Sequence, residues 1–94
     1  MIDHATRMNA GPRAERFREM AHVVGAKDES PEGFLRWLAE LKTQIGIPAK
    51  LSQVGVTPEH HKRLPDLALA DSCHLNNPVP VTRADFVRIF QEAA

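Results

Sequence analysis

Proline and glycine divide this 94-residue sequence into segments of helix length, and no other feature constrains the fold as much. Proline is favoured at the first helical position because its missing N–H would be unpaired there. Glycine readily takes the left-handed conformation that ends a helix. Pro12 and Pro31 stand at two such starts, and Gly25 and Gly46 follow at the matching ends. The sequence therefore predicts one helix over residues 12–24 and another from Pro31, with Ser30 as its N-cap, to Gly46.

Apolar residues recur at helical spacing in both segments, so each predicted helix has one face suited to burial. In the first helix this face consists of Phe17, Met20, Ala21 and Val24. In the second it consists of Phe34, Leu38, Leu41 and Ile45, with Trp37 beside them. Because large-to-small changes in a core cost about 2–5 kcal/mol, this assignment predicts strong destabilisation by Leu38→Ala.

The remaining segments are also helical or irregular. Ile2, Ala5 and Met8 give residues 1–8 the spacing of a turn or two of helix, and residues 47–56 read as a connector without the alternation of a strand. A helix begins at residue 57, and Pro65 either kinks it or, as we favour, opens a second helix. Residues 82–85 form a predicted capping box before a last helix, whose buried face is Phe86, Ile89, Phe90 and Ala93. The predicted fold class is all-α, a single domain over residues 1–94 with about five helices.

Composition excludes several classes of protein. Twelve Lys and Arg residues balance twelve Asp and Glu residues, so the basic excess expected of a nucleic-acid binder is missing. No apolar run is long enough to span a membrane, and the first ten residues lack a signal-peptide core. The single cysteine excludes an internal disulfide and a Cys-only zinc site. We expect a cytoplasmic protein without membrane or nucleic-acid partners.

Two pairs of residues carry side chains suited to chemistry. His60 and His61 are adjacent, so on a helix they point about 100° apart and cannot chelate one metal as an i, i+4 pair would. Cys73 and His74 offer a thiol beside an imidazole, which is either an activated nucleophile or a small apolar residue at a helix end followed by a polar loop residue. We favour the second reading because no third group is evident to orient the pair. With no glycine-rich phosphate loop either, the motifs predict no catalytic residue, metal ligand or cofactor-binding residue in this chain.

Read from end to end, the sequence resembles the C-terminal part of the iron-containing (group III) alcohol dehydrogenase family. Three stretches in the same order carry the resemblance. They are MIDHATRMNAGPRAERFREMAHVVGA at residues 1–26, FLRWLAELKTQIGIPAKLSQVGV at residues 34–56, similar to the family pattern LxxLxxxLGIPxxLxxxGV, and LPDLALADSCHLNNPVPVTRADFVRIFQEAA at residues 64–94. The residue between Pro78 and Pro80 is usually Arg in the family and is Val79 here.

This resemblance implies where the cofactor and the metal bind in the full-length enzymes. Members of the family are much longer, bind NAD(P) in an N-terminal α/β domain, and hold Fe²⁺ or Zn²⁺ through an Asp and three His. In the family, those metal ligands lie upstream of the position that matches Met1. His4 matches a structural position of the family rather than a ligand, so the resemblance assigns no metal ligand to this chain. We therefore expect no tight binding of metal or NAD(P) by the chain alone. Cys73 and His74 fall in a loop that the resemblance places near the nicotinamide and the substrate pocket.

Two functions compete at this stage. The chain is either the C-terminal helical portion of an NAD(P)- and metal-dependent alcohol dehydrogenase, inactive without the rest, or a free-standing interaction module that has lost the enzyme. Maleylacetate reductase is the alternative within the enzyme class. The expected partner is a second copy of the chain or the missing N-terminal part. The candidate contact residues are Ile2, Met8 and part of the face from Phe34 to Ile45.

Overall fold

The computed structural model describes all residues, 1–94, and contains five α-helices and no strand, which confirms the all-α fold class. The helices are α1 (Ile2–Ala10), α2 (Ala14–Val23), α3 (Pro31–Gln44), α4 (Leu64–Ala70) and α5 (Arg83–Ala93). Three short 3₁₀ helices lie at Leu51–Val54, His60–Lys62 and Ser72–Asn76. The chain divides into two compact units, Ile2–Ile47 and Pro48–Ala94.

Helices α1, α2 and α3 form the N-terminal unit, in which α3 packs against both of the others. Its core contains Ala10, Phe17 and Leu35, with Met20 and Phe34 partly buried against them. The rings of Phe17 and Phe34 meet edge to face with their centroids 5.7 Å apart. The predicted face of α2 is confirmed at Phe17 and Ala21, which are both buried.

The ends of these helices follow the predicted signals, with one exception. The Ser30 hydroxyl accepts a hydrogen bond from the Gly33 amide, and Gly25 and Gly46 have positive φ, so both the cap and the two stops are confirmed. The predicted start at Pro12 is wrong, because α2 begins at Ala14. The Arg13 amide donates to the carbonyl of Asn9 at the end of α1, so Gly11, Pro12 and Arg13 form the turn that joins the two helices.

The buried face of α3 differs from the predicted one. Leu35 is only 1% exposed, whereas Leu38 is half-buried and Ile45 is 62% exposed. Because α3 contacts two helices rather than one, the residues between those contacts are the most deeply buried, and a single 3.6-residue stripe does not locate them. The predicted face is therefore wrong at Ile45 and only partly buried at Leu38, and Leu35, which lies outside it, is the most deeply buried leucine of α3.

A partly buried ion pair joins α1 to α3. Lys42 Nζ donates to Asp3 Oδ1 at 2.7 Å, and the Lys42 side chain is 8% exposed. His4 Nδ1 is buried 3.3 Å from the same oxygen, without the geometry of a hydrogen bond. Burial raises the pKa of the Asp3 carboxyl, but the hydrogen bond from Lys42 and the nearby positive charge outweigh that effect, so the pKa is lowered.

This pair predicts acid sensitivity of the N-terminal unit. A carboxyl whose pKa is lower in the folded state stabilises the fold above its unfolded pKa, and this contribution is lost as the pH falls through the folded pKa. We expect Lys42→Met to destabilise the protein at neutral pH, because it removes the cation that donates a hydrogen bond to the partly buried Asp3 carboxylate. We also expect a smaller loss of stability between neutral pH and about pH 3 in this variant than in the parent chain. Thermal melts of both proteins across that pH range measure the difference, and parallel curves would contradict the assignment.

Helices α4 and α5 form the C-terminal unit, together with the three 3₁₀ helices. The predicted helix start at residue 57 is wrong, because residues 57–59 are not helical and a short 3₁₀ helix begins only at His60. Pro65 lies in the first turn of α4, which confirms the favoured alternative that a new helix opens there. The capping box is confirmed as well: the Asp85 amide donates to the Thr82 hydroxyl, and the Thr82 amide donates to the Asp85 carboxylate. Ile89, Phe90 and Ala93 are buried as predicted.

An exposed ion pair holds the start of α5 to α4. Arg83 donates to Asp66 through Nε at 2.6 Å and through Nη2 at 3.2 Å, in the bidentate geometry that a planar guanidinium favours. None of the helices is long and apolar enough to cross a membrane.

Candidate functional site

The segment between α4 and α5, residues 71–81, contains the residues that sequence analysis singled out, and we name it the cysteine loop. Asp71 has extended backbone geometry, and its Oδ1 accepts a hydrogen bond from the Cys73 amide at 2.8 Å, which starts the 3₁₀ helix Ser72–Asn76. At the other end of that helix the Asn77 side-chain amide donates to the carbonyl of Val79 at 2.7 Å. The loop therefore has a defined conformation set by its own polar side chains.

His74 ties the cysteine loop to both neighbouring helices. Its Nε2 lies 3.0 Å from the carbonyl oxygen of Leu69 in α4, and its ring meets the ring of Phe86 in α5 edge to face at 5.7 Å. A carbonyl oxygen only accepts, so Nε2 carries the proton of the neutral ring, and Nδ1 is left as an acceptor. No protein group hydrogen-bonds to Nδ1.

Cys73 lies beside Asp71 and is exposed. The Asp71 carboxylate raises the pKa of the Cys73 thiol, first through a side-chain hydrogen bond and then through its negative charge. The same interaction lowers the pKa of the Asp71 carboxyl. The hydrogen bond from the backbone N–H of Cys73 lowers it further. Because the thiolate is the nucleophilic form of cysteine, this environment disfavours nucleophilic chemistry at neutral pH.

The chemistry of Cys73 predicts a pH profile for alkylation. We expect the rate of reaction with iodoacetamide to rise with a midpoint above that of a free thiol, because Asp71 opposes ionisation. Asp71→Asn is expected to shift this midpoint down towards the value of a free thiol, since the negative charge is removed. Mass spectrometry of the alkylated chain over a series of pH values measures both profiles. A midpoint well below that of a free thiol in the parent chain would contradict this reading.

The structure supports one expectation about Cys73 and His74 and corrects two others. The raised pKa of Cys73 agrees with the expectation that it is not a nucleophile. Cys73 does follow the end of α4, as expected, but its side chain is exposed rather than packed against apolar neighbours. Sequence reasoning treated His74 as a polar loop residue and missed its contacts with Leu69 and Phe86. No sequence motif predicts a hydrogen bond from a histidine ring to the backbone carbonyl five residues earlier, which is the separation between His74 and Leu69.

The two adjacent histidines have separate roles. His60 Nδ1 accepts a hydrogen bond from the Thr57 amide at 3.0 Å, so it closes the turn before the 3₁₀ helix. The ring of His61 lies 6.4 Å from that of Phe90 in α5, in an edge-to-face arrangement. His60 is exposed, whereas His61 is half-buried, so the two neighbouring rings face different surroundings.

These helices, in this order, define an all-helical region that presents one ordered polar loop between its last two α-helices. The sequence model described as the Fe-containing alcohol dehydrogenase family, C-terminal, matches residues 1–94. The chain therefore belongs to the iron-containing alcohol dehydrogenase family.

Curated proteins of several activities are similar to the chain. Alcohol dehydrogenase 4 of Saccharomyces cerevisiae is 37% identical over 83 residues, which is 87% of this chain and 22% of that protein. Lactaldehyde reductase of Escherichia coli K12 is 31% identical over 99 residues, covering 99% of this chain and 26% of that protein. 4-Hydroxybutyrate dehydrogenase of Cupriavidus necator is 27% identical over 81 residues, covering 86% and 20%. The chain thus spans about a quarter or less of the length of these relatives, and no solved structure matches it significantly.

The iron that the family name implies does not fit the residues of this chain. No group of three or more His, Cys, Asp or Glu side chains comes together in a way that could hold a metal ion. His60 uses Nδ1 to accept the Thr57 amide, and Asp3, the carboxylate nearest His4, pairs with Lys42. No chemical step is therefore assigned to a metal at these residues.

Proposed function

We propose that this chain is the C-terminal helical part of an NAD(P)- and metal-dependent alcohol oxidoreductase, and that its contribution to the active site is the cysteine loop. The observation that carries the proposal is the ordered presentation of Cys73 and His74 between α4 and α5, in a chain that matches the family over its whole length. The dehydrogenase and reductase names of its relatives support an oxidoreductase acting on alcohols and aldehydes.

The residues of the loop have distinct roles in this proposal. The hydrogen bond to Leu69 fixes the His74 ring with its proton on Nε2, so Nδ1 is free to accept a hydrogen bond from the hydroxyl of an alcohol. Cys73, kept as the neutral thiol by Asp71, gives the pocket a wall without charge. Asp71 acts through the Cys73 amide and is a positioning residue. The chain thus orients substrate, while cofactor and metal are held by the part of the enzyme outside residues 1–94.

A chimera tests this proposal. In the lactaldehyde reductase of E. coli, the region that aligns with residues 1–94 is replaced by this chain. We expect alcohol-dependent reduction of the nicotinamide. We expect His74→Phe to raise the KM for the alcohol while the melting temperature stays close to that of the unsubstituted chimera. Val23→Ala, an exposed residue far along the sequence from the loop, is the matched control and leaves both unchanged. A folded chimera that binds the nicotinamide but oxidises no alcohol would contradict the proposal.

Two alternatives remain distinguishable from it. Maleylacetate reductase activity is tested in the same chimera by supplying maleylacetate, and the names of the relatives above favour the alcohol dehydrogenases. A free-standing interaction module is favoured by the exposure of apolar residues, and it predicts a function for the chain without any added enzyme part. For each of these alternatives we propose that the protein is cytoplasmic.

Self-association of the isolated chain is a further expectation. Ile2 and Ile45 in the N-terminal unit are 59% and 62% exposed, and such residues are commonly covered in a two-fold dimer. We expect light scattering at micromolar concentration to give the mass of a dimer or a higher oligomer. Ile45→Asp is expected to shift it towards the monomer, whereas a folded monomer of the parent chain would show that this surface needs no partner.

A further inference from the structure

The C-terminal unit contains an open groove that the cysteine loop does not use. The groove has a volume of about 700 Å³ and lies along the 3₁₀ helix His60–Lys62 and the start of α4. Its apolar lining consists of Val56, Leu64 and Leu67. Leu67 is 57% exposed, so the groove leaves a large apolar side chain in contact with water.

The charged residues that line this groove are mainly basic. Lys62 and Arg63 are adjacent, line the groove and make no ion pair. In the same unit Arg83 and Arg88 are each paired with an aspartate. Glu59 is the only carboxylate in the lining, so the groove has an excess of positive charge. An occupant that is both apolar and acidic would complement it.

The shape of the groove favours a helix over a small molecule. Pockets for small ligands bury most of the ligand surface, and a floor residue as exposed as Leu67 does not enclose one. Leu64 and Leu67 are three residues apart on α4, so they form a ridge of the kind that packs against a second helix. The relatives carry about three quarters of their length outside the matched region, which is ample chain to supply such a helix.

We propose that the groove at Val56, Leu64 and Leu67, with its rim of Lys62 and Arg63, docks an acidic amphipathic helix from the part of the family polypeptide outside residues 1–94. This inference rests on the proposal that the chain works together with that part. Docking buries the exposed Leu67 and pairs the two cations with carboxylates. The bound helix carries apolar residues at i, i+3 and i+7 and Glu or Asp on the flanks.

Two labelled peptides test the docking surface on the full 94-residue chain. Each has about 16 residues with Leu at the apolar positions, and the flanks carry Glu in one peptide and Lys in the other. Fluorescence anisotropy measures their affinities. We expect the Glu peptide to bind about tenfold more tightly than the Lys peptide, because only its charge complements the rim.

Variants of the chain make the test specific. Lys62→Glu combined with Arg63→Glu is expected to reverse the preference, so that the Lys peptide binds better. Leu67→Asp is expected to weaken both peptides about tenfold or more, because it removes the apolar anchor. Val23→Asp, at an exposed apolar residue of the N-terminal unit, is the matched control and leaves both affinities unchanged. Circular dichroism confirms that each variant keeps its helices.

Several outcomes would overturn the inference. These are no binding of the Glu peptide, equal affinity for both peptides, or a preference that survives reversal of the rim. Self-association that Leu67→Asp abolishes would instead identify a second copy as the occupant. The chimera described above separates this inference from the proposed function: peptide binding with an inactive chimera contradicts only the enzyme role, and an active chimera without peptide binding contradicts only the docking.

Discussion

Gly33→Ala is expected to destabilise the protein severely, although alanine is a better helix former than glycine by about 1 kcal/mol. Gly33 lies in the first turn of α3, where a Cβ atom would stand 1.7 Å from the carbonyl oxygen of Asp28 and 2.6 Å from its carbonyl carbon. Both atoms belong to the backbone, so no side-chain rotation relieves the overlap. We expect a loss of about 3 kcal/mol or more, since overpacking of a core already costs 1–3 kcal/mol.

Gly11→Ala is the matched control for this substitution. Gly11 lies in the turn after α1, has no positive φ, and an added Cβ there meets no atom within 4 Å. Urea unfolding of the two variants and the parent chain gives the free energies of unfolding. Gly11→Ala is expected to stay within about 0.5 kcal/mol of the parent chain. A Gly33→Ala variant as stable as the parent would show that Asp28 does not approach α3 so closely.

Leu35→Ala is the second substitution with a large expected effect. Leu35 is 1% exposed and packs in the core with Ala10 and Phe17, so truncation leaves a cavity that α1 and α2 must collapse to fill. Substitutions of this kind cost about 2–5 kcal/mol. A domain of this size has a total stability of only about 5–15 kcal/mol, so the melting temperature is expected to fall by many degrees.

Leu38→Ala provides the comparison that locates the buried face of α3. Leu38 is half-buried, so it loses fewer contacts on truncation and is expected to cost clearly less than Leu35→Ala in the same unfolding experiment. The reverse order of the two losses would restore the face predicted from helical periodicity and would contradict the packing of α3 described above.

Much of the local structure could be predicted from the sequence. The Ser30 cap, the capping box of Thr82 and Asp85, and the glycine stops at Gly25 and Gly46 all occur as predicted. These signals act between residues no more than a few positions apart, through backbone hydrogen bonds and permitted φ angles. The error at Pro12 also has a local cause, because α1 continues to Ala10 and leaves that residue in a turn.

The candidate site was predictable only in part. Cys73 and His74 were identified by residue type and by resemblance to the family, and the effect of Asp71 on the thiol follows from their separation by two residues. The anchoring of His74 was not predictable, because it depends on Phe86, twelve residues away in α5. No periodicity in the sequence indicates which loop residue such a ring will contact.

The sequence by itself thus determined most of the helices, the Ser30 and Thr82 caps, the glycine stops and the resemblance to the family, because each depends on residue type and short spacing. Only the tertiary structure decided that Leu35 rather than Leu38 is the centre of α3, and that Lys42 is buried against Asp3. Burial depends on how many helices pack around a position, and an ion pair depends on which distant residue is brought beside it. Both are properties of the packed unit, to which residues far apart in the sequence contribute.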